Sequence, residues 1–287
     1  MTYRLFENIR KRRASGRTDA KIREYLKSGC KPYTSGYKEY KKTILCSVLA
    51  DQELLACFRY NKTLPANYGF RIDERVVEYP WVLARLGVAE GLLLDAGSAL
   101  NHEYLLDHPT LRNKKIVIYN LSPEKFLGRS NVSYIFGDLR HTILRNESFD
   151  EIVCISTLEH IGMNNTLLYS KDACFNEFKP NDHLDVVREF KRLLKPGGRF
   201  FATVPYGRHE NHGWLQQFDC KMIDAVCDTF RPSSHSTAYY KYFPDGWQIT
   251  RAEECTDCSY FDIHNKSDYE PDYAAAARSV ACIELIK

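Results

Sequence analysis

The spacing of hydrophobic residues changes near residue 91. Before that point apolar residues recur every three or four positions, as in Tyr37, Tyr40, Ile44 and Val48, which predicts helices. A further helix is expected from about Glu74 to Leu86. These apolar faces are too small to form a core of their own. We therefore expect residues 1–80 to form a helical cover over the rest of the chain.

From residue 91 onwards, short continuous apolar runs alternate with helical or loop segments. Runs of this kind are typical of a parallel sheet that is covered on both faces. Leu184, Val187 and Phe190 line one side of a helix that Asn181 or Asp182 can cap. We predict a doubly wound α/β domain over residues 81–287. The predicted strands are Leu92–Leu94, Ile116–Tyr119, Val132–Phe136, Ile152–Ile155, Phe200–Val204, Trp247–Thr250 and Val280–Ile286.

The composition is that of an ordinary globular protein, with 287 residues, 44% hydrophobic, 27% charged and a net charge of +3. The segment 1–17 is basic without an apolar run, so we expect no secretory signal. The 10 cysteines then indicate reduced thiols in the cytosol. Cys255 and Cys258 form a single CxxC pair, which lacks the second pair that a structural zinc site requires. We expect no membrane partner.

Basic residues are concentrated in the first segment of the chain. One interpretation is a solvated helix, and the other is a contact surface for an anionic partner such as a nucleic acid. The sequence leaves both open. The residues concerned are Arg4, Arg10, Lys11, Arg12, Arg13, Arg17, Lys21 and Arg23.

A possible ligand loop follows the first predicted strand, in Asp95-Ala96-Gly97-Ser98. A glycine at this place lets the backbone approach a ligand closely. The segment is not a GxGxxG motif, because Ala99 and Asn101 occupy the later positions. This departure argues against a dinucleotide, whose pyrophosphate requires those glycines.

Three segments together resemble the class I S-adenosylmethionine-dependent methyltransferases. The segment 92–97 is similar to the first motif of that family, 149–161 to its fourth-strand motif, and 193–199 to the turn before its fifth strand. Gly137-Asp138 stands between the first two. The resemblance implies S-adenosylmethionine as cofactor. It also implies a mostly parallel, seven-stranded Rossmann-like sheet with an antiparallel C-terminal strand.

The resemblance also assigns roles to individual residues. Asp95, Gly97 and Ser98 would hold the methionine part of the cofactor. Asn120 stands where the family usually has an acidic residue for the ribose hydroxyls, and it lacks the charge of a carboxylate. Asp138 would accept a hydrogen bond from the adenine amine.

Two further positions complete the implied cofactor site. The amide of Leu139 would reach the adenine ring, and Ser156 would line the floor of the site. Taken one at a time, Asp95, Gly97 and Asp138 could instead be ordinary cap or turn residues.

The acceptor side rests on titratable residues that follow strands four and five. His160 could be a general base, with an ordinary histidine pKa near ~6.5, or it could brace the loop. Glu159 is open between packing and function. His209, Glu210 and His212 could form a base or a loose metal site, or an ordinary surface loop; we predict no metal.

We expect an O-methyltransferase for a small polar acceptor such as a sugar or glycoconjugate. An oxygen acceptor is favoured because no Asn-Pro-Pro-Tyr type motif follows either strand. The sugar is suggested by the tyrosine, tryptophan and histidine residues after strand five. A non-catalytic scaffold and a methyltransferase acting on RNA or protein are the alternatives.

Overall fold

The computed structural model describes residues 16–170, 172–266 and 268–287. Arg4, Arg10, Lys11, Arg12 and Arg13, which carry most of the basic cluster, lie outside the described residues. The question of an anionic partner for that segment therefore stays a prediction.

The N-terminal part is helical, as the spacing predicts. The described part of α1 covers residues 16–27, followed by α2 (Tyr37–Ala50), α3 (Gln52–Arg59) and α4 (Arg75–Arg85). Tyr25 is buried against Tyr37 and Tyr40, with ring centroids 5.9 and 5.4 Å away. Leu26, the next residue, is 46% exposed, because one residue along a helix rotates the side chain by about 100°.

Within the described residues the central sheet has eight strands, in the order β3-β2-β1-β4-β5-β10-β8-β9. Five neighbouring strands from β3 to β5 are parallel, and β10 is antiparallel to both β5 and β8. The expected Rossmann-like class is confirmed, with eight strands instead of seven. The strands are β1 (Leu92–Ala96), β2 (Lys115–Asn120), β3 (Val132–Phe136), β4 (Phe149–Ile155), β5 (Leu194–Pro205), β8 (Ser234–Phe243), β9 (Gly246–Thr250) and β10 (Ser279–Ile286).

The additional strand is β8, which separates β10 from β9. Its buried residues Ala238, Tyr240 and Tyr242 alternate with polar or partly exposed ones. A period of two with one covered face is typical of an antiparallel strand. A criterion based on continuous apolar runs therefore does not detect β8.

Four shorter or later helices and one small hairpin complete the described fold. The helices are α5 (Glu103–Leu106), α6 (Pro109–Arg112), α7 (His183–Leu193) and α8 (Cys220–Phe230). The hairpin pairs β6 (Glu210–Asn211) with β7 (Gln216–Gln217). Asp182 precedes α7 without a capping hydrogen bond from its side chain, which instead binds Arg140.

Two apolar layers cover the sheet. Leu93 and Val153 face a core shared with α2, α3 and α4, whereas Leu94 and Ile152 face a core shared with α7 and α8. Successive strand residues thus point to opposite faces. The N-terminal helices pack on the sheet itself, and the expected boundary at residues 80 and 81 falls inside α4. None of the described helices is long and apolar enough to cross a membrane.

Candidate functional site

The strand order reverses between β1 and β4, where ligands of open α/β sheets bind. A cavity of ≈ 290 Å³ lies at the carboxyl ends of these strands. Its volume is close to the lower end of the roughly 300–1,000 Å³ typical of small-molecule sites. Its lining comprises Gly97, Ser98, Asn120, Leu121, Glu124, Gly137, Asp138, Leu139, Arg140, Ser156, Thr157, His160, Ile161, Gly162, Asn165, Leu168, Tyr169 and Glu177.

Gly97 joins the loops that follow β1 and β4. Its φ of 97° is left-handed, and its amide donates to the carbonyl oxygen of Tyr119 over 2.9 Å. A Cβ added here would lie 2.1 Å from Oγ1 and 2.6 Å from Cγ2 of Thr157. A larger residue would therefore strike Thr157 first. We expected a glycine here because it lets the backbone approach a ligand closely, and the contact with Thr157 is a second steric reason for it.

Asp95 lies behind the cavity and does not line it. Its carboxyl group is fully buried, and Oδ2 accepts a hydrogen bond from the amide of Leu100 over 2.9 Å. Oδ1 is buried and has no partner among the described residues. Burial raises the pKa of Asp95 to about 7.

Ser98, unlike Asp95, reaches the cavity wall. Its backbone is left-handed with φ 64°, and its hydroxyl is buried without a partner among the described residues. A buried polar atom of this kind is expected to bind water or a ligand. The loop after β1 thus presents one free hydroxyl group to the cavity.

Asn120 ends β2 and lines the cavity, but its amide already has partners. Its Oδ1 accepts from the hydroxyl of Tyr169 over 3.2 Å. Its Nδ2 donates to the carbonyl oxygen of Ser122 over 3.2 Å and to Oε1 of Glu124 over 3.4 Å. Glu124 also lines the cavity. The sequence reasoning missed this carboxylate, although its place four residues after Asn120 was a usable signal.

Asp138 lines the cavity with its carboxylate bound to Arg140. The guanidinium donates to both carboxylate oxygens over 2.6 to 3.0 Å, and the amide of Arg140 donates to Oδ1 over 2.8 Å. Burial alone would raise the pKa of Asp138, but the hydrogen bonds and the charge of Arg140 outweigh it and lower that pKa. An adenine amine would have to share these oxygens with Arg140. Leu139 is buried in the same wall.

Arg140 gathers two further carboxylates. It donates to Asp182 over 2.5 Å and to Oε1 of Glu177 over 3.0 Å. The guanidinium therefore joins the loop after β3 to the residue before α7 and to the segment that covers the cavity. This group was absent from the sequence-based site.

Ser156 forms part of the cavity wall in front of Glu159. Its backbone is left-handed with φ 46°, and its hydroxyl donates to Oε1 of Glu159. Glu159 is 1% exposed, and its Oε2 has no partner among the described residues. Burial raises the pKa of Glu159 to about 8. At neutral pH this carboxyl group therefore holds its proton.

His160 lines the cavity and is held by the β6–β7 hairpin. Its Nδ1 lies 2.9 Å from the carbonyl oxygen of Trp214, and the two rings stack with centroids 5.3 Å apart. Because a carbonyl oxygen only accepts, Nδ1 carries the hydrogen and Nε2 keeps its lone pair. Burial lowers the pKa of His160 to about 4, so the expectation of an ordinary histidine was wrong.

His209 and His212 do not line the cavity. The Nδ1 of His209 lies 3.0 Å from the carbonyl oxygen of Gln217. His212 lies between two carboxylates, 3.4 Å from Glu210 and 3.5 Å from Asp262. Within the described part of the chain no group of three or more metal-ligating side chains is suitably placed for a metal ion.

An aromatic wall lies beside His160, defined by Trp214, Tyr260, His212 and His264. Trp214 makes edge contacts with Tyr260 and His264, and Tyr260 contacts His212. The indole nitrogen of Trp214 donates to Asp262 over 3.1 Å. The four residues lie outside the cavity lining, and the wall contacts the cavity through the stacking of Trp214 on His160.

The comparisons with known proteins identify a methyltransferase domain in this chain. Residues 94–202 match the sequence model of the family described as "Methyltransferase domain". The matched segment includes the loop after β1, β4 and most of β5. The chain therefore contains a methyltransferase domain with a Rossmann-like fold, of the class that uses S-adenosylmethionine. No curated protein matches the sequence significantly.

Solved structures show weak overall similarity. The 1,6-didemethyltoxoflavin-N1-methyltransferase of Burkholderia thailandensis, solved with its substrate and S-adenosylhomocysteine, is 12% identical, with coverage of 89% of this chain and 92% of that chain and a TM-score of 0.46. A chain from the complex of the Haloferax volcanii Trm112 activator with a methyltransferase is 15% identical, with coverage of 84% and 96% and a TM-score of 0.45. YcgJ of Bacillus subtilis is 13% identical, with coverage of 73% and 97% and a TM-score of 0.45.

Proposed function

We propose that the protein transfers a methyl group from S-adenosylmethionine to an oxygen atom of a small polar acceptor. The observation that carries this proposal is the fixed tautomer of His160. Its Nδ1 is occupied by the carbonyl oxygen of Trp214, which leaves the Nε2 lone pair as a proton acceptor at the cavity. When bound, the cofactor supplies an electrophilic methyl group on a positively charged sulfur.

The residues around the cavity fit this cofactor. Gly97 brings the loop after β1 against the loop after β4, and Ser98 lines the cavity with a buried hydroxyl that has no partner among the described residues. We assign the methionine portion to this loop, with Asp95 behind it as a supporting residue. We assign Ser156, which lines the cavity, to the floor of the site.

For the ribose we assign Glu124 together with Asn120. Both side chains line the cavity, and Glu124 Oε1 lies 3.4 Å from the amide nitrogen of Asn120. A carboxylate can accept from two adjacent hydroxyl groups at once. Glu124 thus provides the charge-assisted acceptor that Asn120 lacks. For the adenine we retain Asp138 and the amide of Leu139, with Arg140 sharing the carboxylate.

His160 is the proposed base. Its low pKa keeps the ring neutral at physiological pH, so the lone pair is available at every turnover. The same low pKa makes it a weak base, and we expect most of the rate to come from alignment of acceptor and methyl group. The stacked Trp214 holds the ring orientation that this alignment needs. His209 and His212 are not retained as bases because they do not line the cavity.

We propose a hydroxylated acceptor such as a sugar or glycoconjugate. It is supported by the ring faces of the aromatic wall, which lies outside the cavity lining and contacts it through the stacking of Trp214 on His160. A reducing compartment such as the cytosol is part of the same proposal. A non-catalytic scaffold is less favoured, because a scaffold has no need for a base of fixed tautomer at the cavity.

The test is a pair of matched histidine variants. His160→Ala is expected to retain S-adenosylmethionine binding by calorimetry and to lose roughly 10²-fold in turnover in an acceptor screen that includes sugars, phenols, RNA and protein. His209→Ala, on an exposed histidine, is the control and should keep parental turnover. Loss of cofactor binding in His160→Ala would make this histidine a structural brace. Exclusive turnover of RNA or protein would replace the proposed acceptor.

A further inference from the structure

Two carboxyl groups, Asp95 and Glu159, are buried beneath the proposed cofactor cavity. Each has one oxygen in a hydrogen bond, from the amide of Leu100 and from the hydroxyl of Ser156 respectively. The other oxygen of each carboxyl group, Oδ1 of Asp95 and Oε2 of Glu159, is buried and has no partner among the described residues. Cys154, between them on β4, is under the electrostatic influence of both. Buried carboxyl groups with unsatisfied oxygens are costly and invite a functional explanation.

Among the residues that the structure describes, neither carboxyl group is in an ion pair with a lysine or an arginine. The nearest titratable nitrogen to Glu159 is Nε2 of His160, 3.9 Å from Oε1, and that ring is neutral because its pKa is low. The guanidinium of Arg75 is in an ion pair with Glu78. Glu159 faces several titratable or charged groups: His160 on its own turn, Cys154 on β4, Arg75 and Glu78 on α4, and Tyr260 in the loop after β9. Asp95 faces Glu124.

Of the two carboxyl groups, Glu159 is the one that contacts residues of the cavity wall. Ser156 and His160 both line the cavity, and Glu159 contacts the hydroxyl of the first and lies near the ring of the second. A positive charge placed against this wall is separated from the carboxyl group by one side chain. In so buried an environment such a charge acts through a low effective dielectric and favours the ionised carboxylate.

We propose that Glu159 loses its proton when S-adenosylmethionine binds and keeps it when S-adenosylhomocysteine binds. The two compounds share the adenosine, the α-ammonium and the α-carboxylate groups, and they differ in the methyl group and positive charge at sulfur. The proton released from the carboxyl group passes to solvent. After transfer the sulfur is a neutral thioether, and the carboxylate takes up a proton again. This inference rests on the proposed cofactor site.

The consequence is discrimination between substrate and product by charge. Above neutral pH the ionised Glu159 stabilises the bound sulfonium, and the stabilisation disappears with the charge once the methyl group has left. The product is therefore expected to bind with an affinity that is independent of this carboxyl group. Its release needs no movement of the wall that holds His160.

The experiment is isothermal calorimetry of the full chain with each compound in phosphate and in Tris buffer. At pH 7 the dependence of heat on buffer ionisation is expected to show close to one more proton released with S-adenosylmethionine than with S-adenosylhomocysteine. The dissociation constant of S-adenosylmethionine should fall by up to tenfold per pH unit between pH 6 and 7.5, relative to that of the product. Sinefungin, which carries an amine at the position of the sulfonium, should behave as S-adenosylmethionine does.

Carboxyl variants identify the group that releases the proton when S-adenosylmethionine binds. Glu159→Gln is expected to abolish the difference between the two compounds, whereas the exposed Glu253→Gln should leave it unchanged. Loss of the difference in Asp95→Asn but not in Glu159→Gln would overturn the assignment. Equal proton counts for the two tightly bound compounds in the parent protein would overturn the inference alone. Absence of binding by either compound would overturn the proposed function, and the inference with it.

Discussion

Replacement of Gly97 by alanine tests whether the loops after β1 and β4 are in direct contact. The new Cβ would lie 2.1, 2.6 and 2.9 Å from three atoms of Thr157, all well inside normal contact distance. Overpacking of this kind costs roughly 1–3 kcal/mol. The left-handed backbone costs a non-glycine residue a further ~1–3 kcal/mol. We therefore expect Gly97→Ala to lower the free energy of unfolding by about 2–6 kcal/mol.

The two contributions can be separated with a double-mutant cycle. Thr157→Gly removes all three close atoms and should restore the overpacking part of the loss in Gly97→Ala, whereas the backbone part remains. The expected coupling free energy between the two sites is about 1–3 kcal/mol. Urea unfolding followed by tryptophan fluorescence measures it, with calorimetry of the cofactor as a second readout.

The results that would refute this reasoning are definite. Parental stability of Gly97→Ala with lost cofactor binding would show that the glycine serves the ligand and not the contact with Thr157. A coupling free energy near zero would show that the two loops do not meet.

Three further predictions concern the charges and the helical cover. Arg140→Gln should lower the free energy of unfolding by about 1–3 kcal/mol at pH 7, because three carboxylates lose a shared donor, and Arg140→Lys should lose less. Since the pKa of Asp138 is lowered in the folded protein, the difference between Arg140→Gln and the parent in urea unfolding should shrink as the pH falls through about 4. Glu159→Gln should become more stable relative to the parent as the pH rises from about 5 to 8, because the folded protein holds a proton on Glu159 that the unfolded chain releases. A difference in the free energy of urea unfolding that stays constant over that range would contradict the raised pKa. A chain that begins at residue 88 lacks α2, α3 and α4, whose buried residues share one core with β1 and β4, and we expect it to aggregate on expression. A fragment that is monomeric in light scattering and binds the cofactor in calorimetry would disprove this.

The strands were predictable where burial is the same on both faces. β1 and β4 are continuous apolar runs because each is covered by helices on both sides, so their sequence alone shows them. β8 has one strongly buried face and alternating polar residues, and the same criterion cannot detect it. The helices α2 and α4 were found because their apolar spacing is local.

The site was predictable as far as a single segment can indicate it. Asp138 and His160 both line the cavity. Asp138 is bound by Arg140, two residues away, but the other partners of Arg140 and the partner of His160 are distant in sequence. Glu177 and Asp182 are 37 and 42 residues from Arg140, and Trp214 is 54 residues from His160. The last contact uses a backbone carbonyl, which any residue type supplies. Spacing along the chain carries no record of such contacts, and the low pKa of His160 follows from burial that only the fold creates.

The Arg140 cluster also fixes the sign of the electric potential in the cavity. Among the described lining residues, Glu124, Asp138 and Glu177 are acidic and Arg140 is the single fully charged base, so the wall has an excess of two negative charges. A phosphate-bearing nucleotide would be repelled by this field, whereas a ligand with a sulfonium and an ammonium group is drawn in. Salt weakens such an attraction over a Debye length of about 8 Å at physiological ionic strength. Selection for a phosphate-free cofactor is therefore built into the wall itself, beyond the absence of a glycine-rich loop.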